Sequence, residues 1–96
     1  MKRDEALTIL GHHKEELRQL GVLSIAIFGS VARDEATPES DVDILVEVKR
    51  PMGLFRFLDI KEYLERILGR RVDLVTREAL KRQLRDRIVA EAVHAA

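Results

Sequence analysis

The chain contains no cysteine and no tryptophan, and only one tyrosine and three phenylalanines in 96 residues. Without thiols there is neither a disulfide framework nor a cysteine-based zinc site, which suits a reducing compartment. The few aromatics, Phe28, Phe55, Phe57 and Tyr63, are expected in the core rather than as a base-stacking platform. An excess of charge is also missing: seventeen basic side chains balance seventeen acidic ones, so the sequence makes no case for direct nucleic-acid binding. No apolar run reaches the roughly eighteen residues that a membrane span needs. The opening "MKRDEALTIL" is charged from the start and has no signal-peptide core. A cytoplasmic location and no membrane partner are the expectation. No linker, repeat or low-complexity tract divides the sequence, so residues 1–96 are read as one domain.

What remains is ordinary globular material, 46% hydrophobic and 35% charged. Leu7, Leu10, Leu17 and Leu20 recur at helical spacing, and Gly21 is placed to end that helix. "VLSIAIF" is short, apolar and β-branched, and reads as a strand covered on both faces. "DVDILVEV" reads as a second strand. Pro51 and Gly53 break the chain before "LFRFLDIKEYLERIL", where Leu54, Phe57, Leu58, Tyr63, Leu64, Ile67 and Leu68 predict a broad apolar stripe that Gly69 ends. "RRVDLVT" is a third strand, and Thr76 is placed to cap a last helix, "REALKRQLRDRIVAEAV". The fold class is therefore α/β, a sheet of at least three strands packed with helices, its strand order left open by the sequence.

Asp41 and Asp43 stand one strand repeat apart, so both carboxylates point to one side while Val42 turns into the core. Two acids held this close repel unless a cation lies between them, and Mg²⁺, which takes hard oxygen ligands, is the economical choice. Asp73, inside the apolar "RVDLV", would complete a three-carboxylate cluster if the third strand lies beside the second. The plainer alternative is a turn cap at Asp41 and an ion pair from Asp73 to Arg71 or Arg70. Gly29-Ser30 favours the cluster, because a glycine directly after a strand lets the backbone approach a ligand closely. Ser30 can then cap the next short helix and face a phosphate. Arg33 either reaches those phosphates or ties the loop down through Glu35 or Asp34.

"GS", ten residues and then "DVD" resembles the signature of the nucleotidyltransferase superfamily that includes DNA polymerase beta and the aminoglycoside nucleotidyltransferases. Within it the chain is most similar to the minimal nucleotidyltransferases, the MntA-like antitoxins paired with HEPN-domain toxins. The resemblance runs over nearly the whole chain and implies the family's small mixed β-sheet. On it, Gly29 and Ser30 match the phosphate-binding pair, with Arg33 beside them. Asp41 and Asp43 match the paired metal ligands, and Asp73 the third catalytic and metal-binding acid. The resemblance further implies Mg²⁺-dependent transfer of AMP from ATP to a tyrosine hydroxyl of the partner toxin. The family's glycine after Ala-Arg is here Asp34, which brings an extra negative charge toward the loop.

Two other readings stay open: an antitoxin that neutralises its toxin by binding alone, and a homodimeric enzyme acting on a small molecule. Adjacent His12 and His13 diverge around a helix and suit a surface or interface better than a metal. His94 is expected to be exposed. The segment 77–87 holds five basic residues against two acidic, a solvated face or a docking surface for an acidic partner.

Overall fold

The apolar runs flanking the polar loop form neighbouring antiparallel strands, β1 (Val22–Phe28) and β2 (Val42–Val48), in a computed structural model that describes residues 1–95. A third strand, β3 (Val72–Thr76), runs parallel to β2, and the two-residue β4 (Val93–His94) pairs antiparallel with β1. The order across this mixed sheet is β3-β2-β1-β4. The parallel β2–β3 pair needs a crossover, and α4 (Leu54–Leu68) supplies it. Gly69 stops that helix in the left-handed conformation (φ 65°), its N–H donating to the Glu65 carbonyl at 2.9 Å. The Glu65 side chain then accepts the Val72 N–H at 3.0 Å, which ties the start of β3 to the helix.

Strand parity divides the sheet into two unlike faces. Val42, Ile44, Val46 and Val48 of β2 and Val72 and Leu74 of β3 are buried. They meet Ala6 and Leu10 of α1 (Arg3–His12), Leu17 of α2 (Lys14–Gln19), and Ile60, Leu64 and Leu68 of α4 in one core. Those three α4 residues recur every four positions, and burying a side chain such as Leu64 is worth about 1.5–3 kcal/mol. The alternate positions, Asp43, Leu45 and Glu47 of β2 and Asp73 of β3, look the other way and are half-buried or exposed. This second face is thinly covered. Its helix, α5 (Arg82–Glu91), buries no residue fully and leaves a small cavity lined by Ser24, Leu45, Val89 and Ala92.

Several expectations need correction. The first helix is two, broken at His13 (φ −111°), whose Nδ1 lies 3.0 Å from the Tyr63 hydroxyl. The final helix is shorter than its pattern: Thr76 Oγ1 accepts the Ala79 N–H, but the capped element is a single 3-10 turn, Arg77–Ala79. At the other end, Val93 leaves the helix to pair with Ile27. Phe55 is not core, being 84% exposed, and Leu54 and Leu58 at the same helix end are exposed as well. The core face of α4 runs through Ile60, Leu64 and Leu68 instead. The third strand does lie beside the second, and Asp73 is exposed on the open face of this edge strand. His94 is exposed, as expected. No helix among the described residues is long and apolar enough to cross a membrane.

Candidate active site

The strand register sets the site's geometry. Phe28 is paired with Asp43, and Asp43 in turn with Asp73, so the end of β1, the head of β2 and the head of β3 form one row across the sheet. Neighbours in such a row are about 4.8 Å apart along the hydrogen-bonding direction. Gly29 and Ser30 follow Phe28 directly in the one-turn helix α3 (Gly29–Ala32). Asp41 stands two residues before Asp43, exposed at the lip of β2, while Val42 between them is fully buried. The Gly-Ser turn and all three acids therefore lie at one end of the sheet.

Gly29 is required twice over. Its φ of 70° is one that side chains rarely adopt, and a Cβ there would overlap the Asp43 carboxylate oxygen and approach the carboxyl carbon to 3.1 Å. The loop backbone thus lies against the acid. Ser30 sits inside α3 rather than capping it; Phe28 holds the cap position, with no side-chain hydrogen bond. The serine is half-buried on the first turn.

Electrostatically the site is short of positive charge. Burial first, then the neighbouring charges of Asp73 and Asp41, push the Asp43 carboxyl above its ordinary value; Arg33 opposes this and Glu91 adds to it. Arg71 Nε lies 3.2 Å from Asp41 Oδ1, so an arginine of the β3 approach does pair with an acid, but with Asp41 rather than Asp73. No three acidic or imidazole side chains among the described residues converge closely enough, as they stand, to share one ion. The donor chemistry nonetheless fits a hard divalent cation: all-oxygen donors on adjacent strand ends, one carboxylate destabilised by burial and by its neighbours, and one held only by an exposed arginine.

Arg33 is engaged within the protein. Its Nε donates to Glu35 at 3.1 Å and its Nη1 to Glu91 Oε1 at 2.8 Å. The same Glu91 oxygen accepts the Gly29 N–H at 2.6 Å. Glu91 was not among the residues the sequence singles out; it lies 62 positions from Gly29 inside a helical pattern, and nothing local distinguishes it. Asp34 adopts a left-handed φ of 58°, the conformation a glycine would favour there. Its Oδ1 accepts the Arg3 N–H at 2.6 Å, so its charge is spent on the first turn of α1.

Comparison with known proteins gives a consistent result. The family model of the nucleotidyltransferase domain matches residues 10–95. The protein adenylyltransferase MntA of Thermococcus cleftensis is 45% identical over 92 residues, 95% of this chain and 93% of that protein. A solved structure assigned to the minimal nucleotidyltransferases is similar at a TM-score of 0.84 and 32% identity, over 97% of this chain and 95% of the other. A tri-AMPylated Shewanella oneidensis HEPN toxin in complex with its MNT antitoxin contains a chain similar at a TM-score of 0.66 and 19% identity, over 94% of this chain and 71% of that one; this likeness concerns the fold alone.

Proposed function

Since this chain belongs to the nucleotidyltransferase-domain family and is MntA-like within it, we propose that it transfers AMP from ATP to a tyrosine hydroxyl of a partner HEPN toxin, and so acts as that toxin's antitoxin. The observation that carries the reading is the row of Phe28, Asp43 and Asp73 across three strand ends, with Gly29 directly after Phe28 and Asp41 at the lip of β2. It is supported by the 45% identity to the protein adenylyltransferase MntA of T. cleftensis; the Shewanella complex adds that a chain of this fold serves as the antitoxin of an AMPylated HEPN toxin.

In this reading Asp41, Asp43 and Asp73 hold Mg²⁺, which when bound neutralises the triphosphate and lowers the charge barrier to attack at the α-phosphorus. Asp43 is the central ligand, since it lies between the loop and Asp73. Asp41 joins it by turning away from Arg71, a movement an exposed ion pair resists by no more than about 1 kcal/mol. Gly29 lets the backbone lie against Asp43, and Ser30 offers its hydroxyl to the phosphates. Asp73, exposed on the edge strand, faces the side from which an acceptor arrives. There the acceptor oxygen forms its bond to the α-phosphorus, the bond to the bridging oxygen breaks, and pyrophosphate leaves with that electron pair. The hydroxyl proton passes to solvent water on the Asp73 side, where that carboxylate is exposed. The single-domain, cytoplasmic reading belongs to the same proposal, with the toxin's own surface completing the acceptor site.

The test is intact-mass measurement of the co-purified partner after incubation with Mg²⁺ and ATP. A gain of one or more AMP units that is lost with D73A is the expected result. No gain, with the toxin still neutralised by a D41A/D43A variant, would mean neutralisation by binding alone. AMP appearing on a small molecule, with a dimeric chain and an unmodified partner, would transfer the case to the homodimeric enzyme.

A further inference from the structure

We propose that Glu91 is a positioning residue of the phosphate loop, holding Gly29 and Arg33 in place through a single carboxylate oxygen. The inference rests on the reading of Gly29-Ser30 as a phosphate cradle. Oε1 accepts both the Gly29 N–H at 2.6 Å and Arg33 Nη1 at 2.8 Å, so the two ends of α3 are bound to one point. Two positive-going donors offset the carboxylate's charge, and Arg33 is further fixed by Glu35.

Glu91 has little freedom to leave. Behind it the Ala92 N–H donates to the Ile88 carbonyl at 2.9 Å. Ahead of it β4 pairs with β1, Val93 with Ile27 and His94 with Ala26, and the Ala95 N–H reaches the Ile25 carbonyl at 2.9 Å. The strand that delivers Gly29 and the segment that delivers Glu91 are therefore laced together immediately beside the contact, and the Glu91–Gly29 bond closes the circuit. Gly29 also abuts the Asp43 carboxylate. Glu91 thus ties the loop backbone that lies against the central acid to the segment paired with β1, and so holds the loop at its place beside that acid. An anion standing in for a phosphate would be easily displaced, whereas this one is anchored by backbone pairing.

Three variants of the full chain separate positioning from competition, read by calorimetry with Mg²⁺-ATP, by amide hydrogen exchange at Gly29, and by urea unfolding. E91A loses the acceptor, E91D withdraws it by one methylene, and E91Q keeps an acceptor oxygen in reach without the charge. Loss of a charge-assisted hydrogen bond predicts about tenfold weaker nucleotide binding in E91A and E91D. Faster exchange at Gly29 should accompany it. E91Q should recover to within about threefold of the parent. Tighter binding in E91A or E91Q would overturn the inference, because it would make Glu91 a competitor for the phosphate position. Unchanged binding in folded E91A or E91D would overturn it too. S30A in the same titration tests the cradle separately. Weakening by S30A but not by E91A removes the Glu91 role alone; a parent that binds no nucleotide, or S30A equal to parent, removes both.

Discussion

Replacing Gly29 with alanine is expected to act through two separable penalties, and the structure contains a control for one of them. Gly69 has nearly the same left-handed backbone, φ 65° against 70°, yet an added Cβ there meets nothing within 4 Å. G69A therefore reports the conformational penalty alone, about 1–2 kcal/mol. G29A carries that same penalty and in addition forces the Asp43 carboxylate out of the space the methyl group takes. Urea unfolding of the metal-free protein should thus show G29A less stable than G69A. The surplus is limited to roughly 1 kcal/mol, because a half-buried carboxylate can rotate rather than be crushed. Binding should differ far more: G69A retains Mg²⁺-ATP affinity and G29A loses it, since the central acid has been displaced. D43A removes the obstructing group, so the G29A/D43A pair should be non-additive, with a coupling of about 0.5–1 kcal/mol in the relieving direction, no larger than the surplus it removes. If G29A is no less stable than G69A and its cycle with D43A is additive, the close approach of loop and acid is wrong.

Three further outcomes follow from the charges. D43N should raise the urea midpoint of the metal-free protein at neutral pH. The raised carboxyl of Asp43 means the folded state holds its proton more tightly than the unfolded one, so its destabilisation is full above the raised value and vanishes as pH falls toward the ordinary 3.8; the D43N advantage should vanish over the same window. R71Q should leave stability within about 0.5 kcal/mol, the pair being exposed, while tightening Mg²⁺ binding in a metal titration by freeing Asp41. At Asp34, urea melts should rank parent above D34G above D34A. Both variants lose the bond to the Arg3 N–H, worth about 1 kcal/mol at a helix start, but only alanine keeps the left-handed strain.

Legibility in the sequence followed the range of the interactions. β1, β2 and β3 are apolar and β-branched over five to seven residues, so a local pattern sufficed to place them. Gly29, Asp41 and Asp43 could be singled out because strand parity and a turn are also local devices. That Asp73 falls in the same row depends on strand order, which no local pattern states. β4 was hidden for a related reason: "IVAEAV" continues a helical spacing, and only the edge of β1 draws Val93 and His94 out of it. Glu91 and the Arg71–Asp41 pair are meetings of residues far apart in the chain, and composition around them gives no sign of either. Phe55 misleads in the opposite direction, since hydrophobicity marks it for the core while its position at the outer end of α4 leaves it in solvent.

The alternation along β2 also determines which changes in chain length this protein can absorb. Even-numbered residues from Val42 to Val48 fill the core, and Asp43 and its odd-numbered neighbours look outward. Insertion or deletion of one residue within β2 would exchange the two sets, sending a carboxylate into the apolar interior and valines into water, so folding and chemistry would fail together. Residues 34–40 lie outside any helix or strand, and most are exposed. Lengthening that loop by a few residues would add only a small closure entropy and leave the parity of β2 intact. Lineages descending from such a chain are therefore expected to differ in length between the serine and the first aspartate far more readily than between that aspartate and Val48.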